Sequence, residues 1–280
     1  MTYTTLIETG ALAALLDSPT LALIDCRFDL ANVTAGEAAF AAGHIPGAVY
    51  AHLDRDLSAP KTGSNGRHPL PSPDAAAAAF GRLGIDAATQ VVAYDAENGM
   101  YASRLWWMLK WLGHDAVAVL NGGFAKWTAE GRPTSAEPAT RGARTFVASP
   151  RASMVVTAAD VPAITASVAT RLVDARAPER FRGDVEPLDP VAGHIPGAAN
   201  YFFGQNLADG RFKSADDLRA GFRASLGEVT GDAIVCYCGS GVTACHNVLA
   251  LEHAGLKGAR LYPGSWSEWC ADPSRGVEKG

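Results

Sequence analysis

Gly43-His44-Ile45-Pro46-Gly47-Ala48 returns, residue for residue, as Gly193-His194-Ile195-Pro196-Gly197-Ala198. A six-residue identity of this composition marks an internal repeat, and a repeat sets the architecture before any element is assigned. The flanks repeat as well. Leu23-Ile24-Asp25-Cys26-Arg27 matches Leu172-Val173-Asp174-Ala175-Arg176, Val92-Ala93-Tyr94 matches Val235-Cys236-Tyr237, and residues 122–127 match 264–269. The two halves are copies of one unit separated by short insertions.

Inside each half, short apolar runs rich in Val, Ile, Leu and Ala alternate with helical patterns. The runs predict strands at 21–25, 48–50, 90–94 and 116–120, then at 171–174, 198–201, 233–237 and 258–261. Helices are expected at 75–83, 103–112, 215–226 and 242–254. Strand and helix in alternation imply an α/β fold, in which a parallel sheet carries helices on both faces. Two such domains are expected in tandem, at 1–130 and 153–280. The intervening stretch, 131–152, holds Pro133, Pro138 and Pro150 without an apolar period and reads as an extended linker.

The chain has 280 residues, about two domains at roughly 150 residues each, with 48% hydrophobic and 19% charged residues. That composition excludes a wholly disordered or fibrous protein. With 24 Lys+Arg against 29 Asp+Glu the net charge is -5, and there is no basic run to follow a phosphate backbone, so nucleic acid is not expected as a partner. Residues 1–26 contain no Lys or Arg, which argues against a secretory or mitochondrial leader. The most apolar region, 105–112, is short and carries Lys110, so no membrane partner is expected either. Five cysteines, Cys26, Cys236, Cys238, Cys245 and Cys270, are odd in number and too few for a disulfide framework. A cytoplasmic protein with reduced thiols is the expectation.

Cys238 directly follows the strand expected at 233–237 and opens Cys238-Gly239-Ser240-Gly241-Val242-Thr243, after which a helix begins. Open α/β sheets place their sites at such strand-to-helix turns. Two glycines let the loop curl until successive N–H groups point inward, and the helix start adds its positive end. Such a nest favours an anion, a thiolate included, and makes Cys238 a nucleophile candidate. A buried, inert cysteine at a strand end is the plainer alternative. The matching position in the first half is Asp95, in a loop with no thiol. A cysteine loop built for phosphate needs an arginine after five intervening residues, where Ala244 stands. Cys236, Cys238, Cys245 and His246 would allow a zinc site by residue type, but they lack a Cys-x-x-Cys spacing. No metal and no cofactor are expected.

The duplicated Asp-x-Arg and Gly-His-Ile-Pro-Gly-Ala segments, the Cys238 loop and Gly264-Ser265-Trp266-Ser267-Glu268-Trp269 together resemble the two-domain sulfurtransferases of the rhodanese superfamily. The resemblance implies tandem rhodanese-like domains, the first catalytically silent and the second carrying Cys238. It implies that Cys238 takes sulfur from a small anionic donor as a persulfide. The sulfur then passes to a thiophilic acceptor such as cyanide, a thiol or a thioredoxin-like reductant. The loop residues Gly239, Ser240, Gly241, Val242 and Thr243 would hold the charge, and Arg180 would bind the donor's anionic group. The neutral Gly239-Ser240 pair looks like the mercaptopyruvate branch, whereas many thiosulfate enzymes carry basic residues there. Thiosulfate is the alternative donor, because Leu188 stands where mercaptopyruvate enzymes usually have a second arginine. A non-catalytic binding module is the opposing class.

The two His-Ile-Pro-Gly histidines, His44 and His194, are expected to brace turns, with His44 and His68 as weak candidates for substrate contact. Asp25 with Arg27 and Asp174 with Arg176 read as structural ion pairs.

Overall fold

The computed structural model describes residues 2–137, 139 and 141–280; Pro138 of the expected linker lies outside them. Two compact units emerge, one made of Met1–Ala59, Pro71–Arg151 and Asp209–Phe212, the other of Pro60–Leu70, Ala152–Ala208 and Lys213–Gly280.

In the first unit the strands β1 (Leu6–Ile7), β2 (Leu21–Asp25), β3 (Val49–Tyr50), β4 (Gln90–Tyr94) and β5 (Val117–Leu120) form one sheet in the order β1-β5-β4-β2-β3. All pairings are parallel. The second unit repeats the plan with β6 (Arg171–Asp174), β7 (Ala199–Asn200), β8 (Ile234–Tyr237) and β9 (Arg260–Leu261), ordered β9-β8-β6-β7 and again parallel. Every residue of β2, β5 and β8 is buried. Burial at successive positions means that both faces are covered, which explains why these strands read as continuous apolar runs. The two-residue strand β1 left no periodic signal in the sequence.

The helix Pro73–Arg82 starts before the expected residue 75, because Ser72 accepts a hydrogen bond from the Ala75 N–H and Pro73 supplies a helical φ at the first position. The helix Ala102–Trp111 packs on β4 and β5 with Trp106 and Trp107 fully buried, and its one residue that is not fully buried, Lys110, pairs with Asp115 at 2.6 Å.

The repeated motif has the same job in both units. Arg27 reaches Asp25 at 2.7 Å and donates to Gly43 O at 2.7 Å, and Arg176 reaches Asp174 at 2.7 Å and donates to Gly193 O at 2.7 Å. The Ile45 N–H donates to Tyr94 Oη at 3.2 Å and the Ile195 N–H to Tyr237 Oη at 3.3 Å. His44 stacks on Phe40 and His194 on Phe181. The hexapeptide ties the turn before β3 or β7 to the end of the central strands. Arg27 lies over Phe124 and Arg176 over Trp266, while Trp127 and Trp269 each donate an indole N–H to a carbonyl at 2.8 Å.

Two segments depart from the expected boundaries. Residues 60–70, placed with the first domain by sequence, belong to the second unit, because Arg67 and His68 hydrogen bond to Ser267 and Ser240. Residues 142–151 lie along the first unit. Their amides donate from Arg144 to Gly81 O, from Ser149 to Leu112 O and from Arg151 to Trp111 O, and Phe146 meets Phe80 edge-on.

The loop after β4 is closed by its own side chain. Asp95 accepts the N–H groups of Gly99 at 2.9 Å, Tyr101 at 2.8 Å and Ala102 at 3.1 Å, so a carboxyl fills the nest before the helix. Burial pushes the Asp95 carboxyl above its usual range, against the pull of those amides.

Arg176 and Asp174 are 1% and 0% exposed, and removing one partner of such a pair strands a buried charge. Arg176→Leu is therefore expected to cost the second unit about 3–5 kcal/mol, read by denaturant titration. Asp95→Ala leaves three amides without their acceptor and should destabilise the first unit by at least about 1–3 kcal/mol, measured in the same way; an unchanged midpoint would remove Asp95 as the organiser of its loop.

Candidate active site

β8 ends at Tyr237, and Cys238 is the next residue, 2% exposed. The loop that follows hands two of its carbonyls to a neighbouring helix. Cys238 O and Gly239 O accept from the Trp266 and Ser267 N–H groups, each at 2.9 Å, at the start of the helix Ser265–Trp269. The Cys238 N–H donates to Ser265 Oγ at 3.1 Å, and the Gly241 N–H points back at Cys238 Sγ at 3.2 Å. Gly241 has φ of +77°, and a Cβ there would come within 2.3 Å of Pro263 O, so the curl requires glycine. Ser265 holds the other side with φ of +55°, an uncommon value for a residue with a side chain. Val242 and Thr243 then lead into the helix Thr243–His253, which packs on β8 and β9. Cys238 thus sits in a turn that aims a backbone N–H at its sulfur, with a helix start beyond it.

The other thiols are placed differently. Burial pushes Cys26 and Cys236 well up, and Cys270 is pushed up to about 11 by burial and then by Asp189. Cys245 donates its S–H to Gly241 O at 3.2 Å and so braces the loop from the helix. His246 faces Asn206 at 3.1 Å in a buried amide network with Asn247.

Arg180, on the helix Pro178–Arg182, reaches the loop. A methyl group added at Gly239 would lie 3.5 Å from Arg180 Nη2 and 3.7 Å from Nη1. Its orientation comes from Glu186, which accepts from Nη2 at 2.6 Å and from Nε at 3.2 Å. Burial pushes the Glu186 carboxyl up, but Arg180, the Leu188 N–H and Arg176 pull it down further, and the net shift is below the usual range. Leu188 itself is 44% exposed and contributes only that backbone N–H at 3.1 Å.

Of the two weakly weighted histidines, the fold brings one to the loop. His68 Nδ1 lies 2.8 Å from Ser240 Oγ, with both residues buried. His44 belongs to the first unit, where its ring nitrogens lie 2.8 Å from Phe40 O and 3.1 Å from Glu137 O; the ring is consumed in bracing the turn, which corrects its candidacy for substrate contact. Arg67 is the residue that sequence reasoning missed. Its Nη2 stands 2.7 Å from the position a Cβ would take at Gly239, and its Nη1 is ion-paired with Asp189. The only clue available was its adjacency to His68.

Comparison with known proteins identifies the family. The rhodanese-like domain matches residues 8–130 and again 157–272. A probable 3-mercaptopyruvate sulfurtransferase of Pseudomonas aeruginosa is 46% identical over the full length of both chains. A thiosulfate sulfurtransferase of Cricetulus griseus is 35% identical, covering 99% of this chain and 96% of its own. The solved structure of a 3-mercaptopyruvate sulfurtransferase from Leishmania major superposes with a TM-score of 0.81 at 31% identity, covering 95% of this chain and 74% of that one. The SseA structure from Escherichia coli gives 0.82 at 32% identity, covering 94% and 99%. Two matched domains, a parallel sheet in each and a cysteine loop at the end of a central strand converge on one assignment: the chain belongs to the rhodanese family and is a tandem-domain sulfurtransferase.

Proposed function

We propose that the second unit moves a sulfane sulfur from 3-mercaptopyruvate to a thiophilic acceptor through a persulfide on Cys238, while the first unit is catalytically silent. The observation that carries this reading is the Gly241 N–H held 3.2 Å from Cys238 Sγ, in a turn whose Cys238 and Gly239 carbonyls are taken by the Trp266 and Ser267 N–H groups. In the first half-reaction the Cys238 thiolate attacks the donor sulfur. The carbon–sulfur bond breaks, its electron pair goes to the departing carbon, and protonation of the resulting enolate yields pyruvate. In the second half-reaction a nucleophilic acceptor, such as cyanide, a thiol or a thioredoxin-like reductant, attacks the outer sulfur. The sulfur–sulfur bond breaks and its electron pair returns to Cys238 as thiolate. Two displacements through one covalent intermediate predict ping-pong kinetics.

Arg180 supplies directed donors for the anionic group, and the buried Ser240–His68 pair is a hydroxyl and imidazole able to pass a proton beside the loop. Silence of the first unit follows from Asp95, a poor sulfur nucleophile whose carboxyl already occupies the nest. Thiosulfate is the second reading, and it has its own support. Arg67 sets a cation against Gly239, the very position where the neutral sequence had argued against a dianion. A cytoplasmic setting suits five free cysteines; among the described residues no helix is long and apolar enough to cross a membrane.

Cys238→Ser should abolish transfer, while Ser at Cys26, Cys236, Cys245 or Cys270 should leave most of it. Incubation with donor should add about 32 Da to the peptide holding Cys238, the mass of one sulfur. Retained activity in Cys238→Ser would refute the mechanism. Thiocyanate formation measured with each donor decides between the two substrates, and a higher kcat/KM with thiosulfate would move the chain to the second reading.

A further inference from the structure

The two His-Ile-Pro-Gly turns are built alike, and the second carries an extra load. In the first unit the His44 ring stacks on Phe40, its Nδ1 lies 2.8 Å from Phe40 O, and its backbone exchanges two hydrogen bonds with Ser135, each at 2.8 Å. In the second unit the His194 ring stacks on Phe181 with centroids 3.7 Å apart, its Nδ1 lies 2.7 Å from Phe181 O, and its backbone exchanges two hydrogen bonds with Glu278 at 2.9 and 3.0 Å. The copies differ in what separates ring from histidine. Four positions lie between Phe40 and His44 in the numbering, and Phe40 sits in the eight-residue helix Ala35–Ala42. Thirteen lie between Phe181 and His194, and that longer chain carries Glu186, the carboxylate that holds Arg180.

The longer connection leaves Phe181 in a helix of five residues, Pro178–Arg182, far below the length at which a helix stands on its own. Its last two carbonyls are held from outside. Phe181 O meets the His194 ring, and Arg182 O accepts the Gly280 N–H at 3.0 Å. Residues 276–280 are exposed throughout, yet they are tied along their length: Gly276 O accepts from Trp269 Nε1 at 2.8 Å, and Glu278 Oε2 accepts the Gly197 N–H at 3.0 Å. Gly193 has φ of +128°, and a Cβ there would come within 2.5 Å of Glu278 O, so the strap lies this close because a glycine lets it. Arg180 is carried inside the clamped turn, one residue before Phe181.

We propose that His194 and the strap 276–280 are positioning elements for Arg180, capping its short helix from outside and so fixing where the guanidinium stands relative to the cysteine loop. The inference rests on the sulfurtransferase reading, in which Arg180 binds the donor's anionic group. Glu186 sets the direction in which the guanidinium points. It does not hold the backbone from which the side chain hangs, and helix-end carbonyls without partners let the last turn fray. His44 makes the same stack and the same carbonyl contact in the unit that lacks Arg180, which gives the test an internal control.

His194→Ala should raise the KM for mercaptopyruvate roughly threefold to tenfold, the range one net hydrogen bond carries, while kcat stays within about twofold. Hydrogen exchange read by mass spectrometry should quicken in the peptide covering 178–183. The rate at which iodoacetate modifies Cys238, divided by that of neutral iodoacetamide, should fall by a similar factor, because it reads the placement of Arg180 with no sulfur donor present. His194→Asn keeps an N–H able to reach Phe181 O and should recover part of each change. Gly280→Pro removes one N–H from the exposed strap and should move all three readings the same way by less. His44→Ala should leave KM and the reagent ratio within about twofold. An unchanged KM and reagent ratio in both His194→Ala and Gly280→Pro overturns the proposal, whatever the exchange shows. So does an equal rise in KM for His44→Ala, which would mark general loosening. Should His194→Ala fail to fold, Gly280→Pro decides alone. If the wild type transfers sulfur from neither donor, the sulfurtransferase reading fails by itself, and the reagent ratio still decides whether the clamp places Arg180.

Discussion

A buried ion pair at the end of a central strand organises this protein. Asp174 closes β6 and Arg176 follows it, both out of contact with water, and the arginine spends its remaining donors on Gly193 O and Glu186. Desolvating two charges costs more than their attraction returns unless the remaining donors and acceptors are also satisfied. Satisfying them is what draws the neighbouring segments together. Gly193 O brings in the His-Ile-Pro-Gly turn, and the guanidinium face lies over Trp266, whose own N–H holds Cys238 O. Glu186 extends the chain of alternating charge outward to Arg180, and Asp189 joins Arg180 to Arg67. An interaction that starts in the core thus ends beside the cysteine loop.

The first unit keeps the inner part of that arrangement and loses the outer part. Asp25, Arg27, Gly43 O and Phe124 reproduce the pair, the carbonyl and the ring beneath the guanidinium. In the loop after the next strand the copies diverge. Asp95 has a side chain with two acceptor oxygens, and three amides close on it. Cys238 has a single sulfur, one amide at 3.2 Å, and a glycine beside it that leaves space for arginine forks. In the first unit a carboxylate fills the loop, whereas in the second one amide turns to a sulfur.

Much of this was legible in the sequence. The strand runs at 21–25, 90–94 and 171–174 coincide with observed strands, because successive inner residues of a parallel strand covered on both faces are buried and apolar. The ion pairs and the bracing histidines were legible because each motif repeats and its partners lie close in sequence. Cys238 was legible because strand, glycine loop and helix are contiguous. The placement of residues 60–70 with the second unit and of residues 142–151 along the first was not legible, for a common reason. Segments without a periodic pattern are placed by hydrogen bonds to distant backbone, such as Arg67 N–H to Ser267 Oγ and Arg144 N–H to Gly81 O.

By itself the sequence determined the duplicated α/β plan and the strand-end ion pairs and singled out Cys238 as the candidate thiol, since those depend on residues within a few positions of one another or on an exact repeat. Tertiary structure alone decided the surroundings of that thiol. His68 and Arg67 reach the loop across more than half of the chain, by a contact that leaves no local signature. The electrostatic character of the site follows from that contact, because a loop neutral in its own sequence becomes flanked by cations only when the backbone brings them there.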